Sequence, residues 1–194
     1  MKKTLLVVIV AMFSLTFAAS AASAQDSNPM VGGAAMYKTK DIVDNAVNSA
    51  DHTTLVAAVK AAGLVETLKG KGPFTVFAPT NAAFDKLPAG TVATLIKPEN
   101  KEMLTRILTY HVVAGKYDSK KLMNMIKKGN GSATLKSVSG GVLTFKMNGS
   151  NGITLIDEKG GTSNVSIANV YQSNGVIHVI DTVVMPGSVA VFFA

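Results

Sequence analysis

The 194-residue chain contains no cysteine. That excludes a disulfide framework, a thiol nucleophile, a thiolate metal site and a lipid-modified cysteine. A domain without such staples rests on apolar burial, and 47% of the residues are hydrophobic. Histidine is scarce. His52, His111 and His178 lie far apart, and neither H-x-x-x-H nor H-E-x-x-H occurs. The G-x-S-x-G nucleophile elbow and the G-x-x-x-x-G-K phosphate cradle are also missing. The first apolar run, Leu5 to Phe17, is shorter than the roughly 20 residues a membrane-spanning helix needs.

What is present begins with an address. Lys2 and Lys3 precede that apolar run, and Ala22-Ser23-Ala24 fits an A-x-A cleavage site. Residues 1–24 therefore read as a cleaved signal peptide, with an uncleaved anchor as the rival reading. The remainder is long enough for one domain with a proper core. Without Lys2 and Lys3, 17 of the 19 basic residues face 12 acidic ones, a net charge of +5. Such an excess raises encounter rates with anionic partners. Export points away from nucleic acid and toward anionic polysaccharide, lipopolysaccharide or matrix. The expected location is secreted or periplasmic, with no integral membrane association and no cofactor.

Residues 25–36 lack periodicity and read as a flexible lead. Helical stripes follow at Ile42, Val43, Ala46 and Val47, then at Leu55, Val56 and Val59, with Asp51 or Thr53 as cap and Gly63 as stop. Pro98 suits a helix start ahead of Met103, Leu104, Ile107 and Leu108. Ser119 is positioned to cap a helix running to Lys128. On it Leu122, Met123, Met125 and Ile126 share one side, and Lys120, Lys121, Lys127 and Lys128 the other. After Ser132 short β-branched segments alternate with Gly-Gly and Asn-Gly pairs suited to tight turns. Helices first and strands afterwards read as α+β.

Three separated stretches carry a resemblance. Gly72 to Phe84 reads GPFTVFAPTNAAF, a strand stopped at Pro79 and a turn capped by Thr80 or Asn81. Tyr110 to Tyr117 reads YHVVAGKY, and Asn174 to Pro186 reads NGVIHVIDTVVMP. In order, spacing and wording these resemble the fasciclin domain, over residues 37–187, leaving 188–194 as a tail. The resemblance implies a wedge of helices packed on a β-sandwich of about seven strands. It also implies a non-enzymatic adhesion module that contacts a cell surface, matrix protein or polysaccharide.

The same resemblance nominates residues. A Tyr-His pair at Tyr110-His111 is linked in the family both to adhesion and to structure. The residues themselves favour the structural role, His111 bonding nearby backbone and pinning the helix to the sheet. Where animal relatives carry an Asp-Ile pair associated with integrin recognition, this chain has Asn169-Val170, without the charge a cation-dependent contact needs. Strand alternation places His178 and Asp181 on opposite faces, which argues against a catalytic pair and leaves Asp181 as an anchor for a neighbouring loop. Lys116, Lys120, Lys121, Lys127 and Lys128 form the candidate anionic contact. The alternatives are a periplasmic hydrolase or transferase using His111 or His178, and a structural surface protein without a specific ligand.

Overall fold

The computed structural model describes residues 28–189. The expected signal peptide and residues 190–194 of the expected tail lie outside that range. Within it lie seven α-helices, α1 (Ile42–Ala46), α2 (Thr53–Ala62), α3 (Val65–Lys69), α4 (Asn81–Asp85), α5 (Thr91–Leu95), α6 (Lys101–Tyr110) and α7 (Ser119–Lys128), of which α1, α2, α6 and α7 form where the apolar stripes predict them and α5 was not expected. A short hairpin, β1 (Met30–Val31) and β2 (Ala34–Ala35), precedes them. The main strands are β3 (Phe74–Pro79), β4 (Val112–Ala114), β5 (Ser132–Lys136), β6 (Val142–Asn148), β7 (Gly152–Ile156), β8 (Thr162–Gln172) and β9 (Gly175–Ile180).

These seven strands form one sheet in the order β4-β3-β9-β8-β7-β6-β5, with β3 and β9 parallel and the other neighbours antiparallel. Strands lie about 4.8 Å apart, so in a flat sheet β3 and β6 would be separated by roughly 19 Å. Instead the rings of Phe77 on β3 and Phe145 on β6 are 5.3 Å apart. Beyond β5, the Val138 N–H donates to the carbonyl of Val112 on β4 at 2.8 Å, joining the two edges. The sheet thus coils into a sandwich-like wedge. Its inside holds Phe77, Tyr110, Val113, Leu143, Phe145, Leu155 and Ile180, and α7 plugs it with Leu122 and Ile126.

The outer face of β3 and β9 carries a second core. Val76, Ala78, Ile177 and Val179 meet Ile42, Leu55, Val59, Leu104 and Ile107 from α1, α2 and α6. Strand β9 is consequently buried at every residue, the pattern of a strand covered on both faces. Gly175 begins it because a Cβ there would lie 2.2 Å from the Phe74 carbonyl oxygen. The α+β reading and the seven strands hold.

Several local expectations are corrected. Residues 30–36 form a packed hairpin, not a flexible lead; Val31 and Met36 are buried, and the Ala50 N–H bonds the Gly32 carbonyl. Neither Asp51 nor Thr53 caps α2, whose N-cap residue His52 offers no side-chain bond. The Asn81 carboxamide does so from a distance, accepting the Thr54 N–H at 3.0 Å and donating to the Ala50 carbonyl. Thr80, the other candidate, caps α4 through Ala83. Asp118 caps α7 by accepting the Lys121 N–H at 2.7 Å, and Ser119 is the first helical residue.

Candidate functional site

Tyr110 ends α6 with its ring in the inner core and fully buried. Its hydroxyl donates to the Val142 carbonyl at 2.7 Å and accepts the Glu158 N–H at 3.2 Å. Burial pushes the phenol pKa upward. His111 follows, 2% exposed. Its Nδ1–H donates to the Ile107 carbonyl at 2.9 Å, and its Nε2 accepts the Val184 N–H at 3.2 Å. The partners fix the tautomer, because a carbonyl can only accept and an N–H can only donate. Burial pushes the imidazole pKa down to about 4, so His111 is neutral at pH 7. It borders an apolar cavity, yet both ring nitrogens are engaged by backbone.

His178 has the opposite tautomer. Its Nε2–H donates to the Tyr117 carbonyl at 2.8 Å, and its Nδ1 faces the Asn169 N–H at 3.4 Å. The ring stacks on Phe77 at 5.6 Å, and burial again lowers its pKa. Asp181 has other partners: it accepts from the Asn164 N–H at 2.8 Å and from the Ser163 and Thr182 hydroxyls. It is an anchor, as read from strand alternation, but it holds the start of β8 rather than a loop. A carboxylate–imidazole pair, the minimum for general acid–base work, is not formed by either histidine.

Asn169 sits in a bulged stretch of β8 with φ +62°, a left-handed backbone that asparagine tolerates better than most residues. Its carboxamide accepts the Ser119 N–H at 2.7 Å and donates to the Ser119 hydroxyl at 2.7 Å, clamping the first turn of α7 to the sheet. Val170, its neighbour, is 1% exposed and belongs to the outer core. The pair expected at the adhesion position is thus committed to packing.

The lysines are not. Lys116, Lys120, Lys121, Lys127 and Lys128 are all exposed. The Lys121 ammonium lies 4.1 Å from the Tyr117 ring centroid, and Lys116 lies 4.9 Å from that of Tyr171. Each is a cation–π contact, and the neighbouring acid Asp118 is already used as a helix cap. Beside them a shallow groove is bordered by Asp118, Lys120, Lys121, Asn124, Met125 and Lys128.

Sequence reasoning missed the side chains that tie distant segments together. Asn45 is buried and bonds Gln172 and both backbone groups of Tyr37. Asn174 accepts the Ile42 N–H and donates to the carbonyls of Leu68 and Gly70. Asp157 and Glu158 hold the irregular stretch after β9 through Met185 and Gly187. Among the described residues no group of three or more His, Cys, Asp or Glu is placed to hold a metal ion, and no helix is long and apolar enough to cross a membrane.

A curled seven-stranded sheet with helices on its outer face, α7 closing its inside and YHVVAGKY after α6 defines the class. The fasciclin domain model matches residues 50–186, and the chain belongs to that family. It is 46% identical over 161 residues to protein sll1483 of Synechocystis sp., spanning 83% of this chain and 82% of that protein. It is 38% identical over 146 residues to immunogenic protein MPB70 of Mycobacterium bovis, 73% of this chain and 66% of that one. It is 34% identical over 165 residues to cell surface glycolipoprotein MPB83 of the same species, 82% of this chain and 67% of that one. Among solved structures it resembles a FAS1 domain pair from the insect cell adhesion molecule fasciclin I. There the TM-score is 0.66 at 19% identity, over 75% of this chain and 51% of that one, a likeness of fold.

Proposed function

We propose that this chain is an exported, non-catalytic binding module that attaches to anionic polysaccharide or matrix through the lysine face of α7. One observation carries the reading. The polar groups of Tyr110, His111, Asn169 and His178 are engaged inside the protein, whereas the lysines of α7 and Lys116 are exposed at the surface. A ten-residue helix extends about 15 Å, so its cations can meet successive charges of a polymer and not one small anion. Tyr117 and Tyr171 hold two of the ammonium groups over rings, adding apolar area beside charge. The signal-peptide pattern of residues 1–24 and the likeness to the cell surface glycolipoprotein MPB83 and the cell adhesion molecule fasciclin I support a place outside the cytoplasm.

The test is retention on an immobilised carboxylated or sulfated glycan as salt is raised. Screening weakens exposed charge contacts, so the native chain elutes earlier with rising salt. The variant with Lys120, Lys121, Lys127 and Lys128 all changed to Gln elutes well before it at every salt concentration, with unchanged melting. Equal retention of the two proteins rejects the face as the contact.

A further inference from the structure

Between the helices and the outer face of the sheet lies a partly open cavity of about 70 Å³, lined by apolar side chains that include Val43, Val59, Leu68, Val76 and Ile177. Apolar space of this kind stays dry, and the atoms around it lack dispersion partners on one side. The volume is about half that of a cavity of roughly 150 Å³ lined by Leu, Ile and Phe that accepts benzene. A ring is too bulky for it. The end of an unbranched alkyl chain is not.

The rim specifies the other end of such a molecule. Val56 and Lys60, one turn apart on α2, both border the space; Val56 is half-buried and Lys60 exposed. Lys60 is the one charged side chain in the lining, which contains no Asp or Glu. The nearby Lys69 differs in being paired with Asp41 and Asp44. Thr67, also at the border and exposed, adds a hydroxyl. An apolar slot with a single unneutralised cation at its mouth matches an amphiphile with a thin tail and a negative head.

We propose that this cavity takes the alkyl end of a fatty acid whose carboxylate pairs with Lys60. The site is separate from the lysine face of α7 and does not depend on it. The probe is decanoate, kept below its micelle concentration and added to the full chain carrying labelled Val, Leu and Ile methyl groups. The expected result is saturable movement of the Val59, Leu68 and Ile177 methyl signals, with little response to benzene. Lys60→Gln weakens decanoate by about two- to fivefold, the worth of one exposed ion pair, and leaves decanol unchanged. Val56→Phe, which fills the mouth, abolishes the response to both.

Three results overturn the proposal: no movement of these methyls, undiminished binding by the Val56→Phe variant, or equal decanoate affinity of Lys60→Gln and the native chain. Lys60 is exposed, so its replacement leaves the fold intact and keeps the last comparison decisive even if the phenylalanine variant misfolds.

Discussion

The imidazoles of His111 and His178 are neutral spacers between backbone groups. For His111 the partners come from α6 and from the irregular stretch after β9, segments that share no ladder. Replacing it with Ala leaves the buried Val184 N–H without an acceptor, which costs about 1–3 kcal/mol. Urea unfolding of His111→Ala reads this directly; an unchanged midpoint together with lost surface attachment would reassign the residue to function. Protonation probes the same site. Burial holds the pKa of His111 near 4, and those of His52 and His178 below the usual histidine value. Below pH 6.5 the unfolded chain therefore takes up protons that the folded chain refuses, and stability falls with pH until the folded imidazole itself titrates. For His111 the full span amounts to roughly 3 kcal/mol. Urea midpoints should be level above pH 7 and decline from about 6.5 downward, ahead of carboxylate protonation near 4. His111→Ala should flatten that decline in part.

At the scale of elements, α7 shows what local sequence can and cannot disclose. Its two faces follow from residue spacing, and Leu122 and Ile126 do point inward. Its start does not follow, because Ser119 and Asp118 are both competent caps and the choice is made by Asn169, 50 residues away. Asn169→Ala should lower stability by about 2 kcal/mol, combining the loss of a clamp with a non-glycine, non-asparagine side chain at positive φ. Hydrogen exchange should show the first turn of α7 opening before the sheet; uniform destabilisation instead would mean the clamp is not local. The same logic explains the pattern elsewhere. Strand and helix positions were legible because burial alternates at periods of 2 and 3.6. The roles of Asn45, Asn81, Asp157, Glu158 and Asn174 were not, since each bonds backbone brought near only by the finished topology. The lysine face was legible for the opposite reason: exposure needs no partner.

For the whole molecule, the question is where the folded unit begins. Composition suggests a start at residue 37, because Asn, Pro, Gly and Ala without period give no reason for order. Packing argues for an earlier start. Met36 and Val31 close the outer core over Ala78, Val170, Ile177 and Val179, and they roof a small space beside His52, whose Nε2 has no hydrogen-bond partner. The hairpin is tied to the body by the bond from Ala50 to Gly32, and Met36 closes its own turn onto Pro29. Gly32 permits that approach, since a Cβ there would lie 2.6 Å from the Asp51 nitrogen. Removing residues 28–36 would open an apolar surface and bring water to His52. Its protonation in the folded state would then become easier, so His52 would contribute less to the acid sensitivity even as burial is lost. A chain trimmed to start at 37 should therefore unfold at lower urea than one starting at 28, with a shallower decline below pH 6.5. Met36→Ala in the longer chain should cost about 2–4 kcal/mol by itself. Identical urea midpoints for the two lengths at neutral pH would show that the hairpin rests on the core without stabilising it, and the compositional boundary would stand.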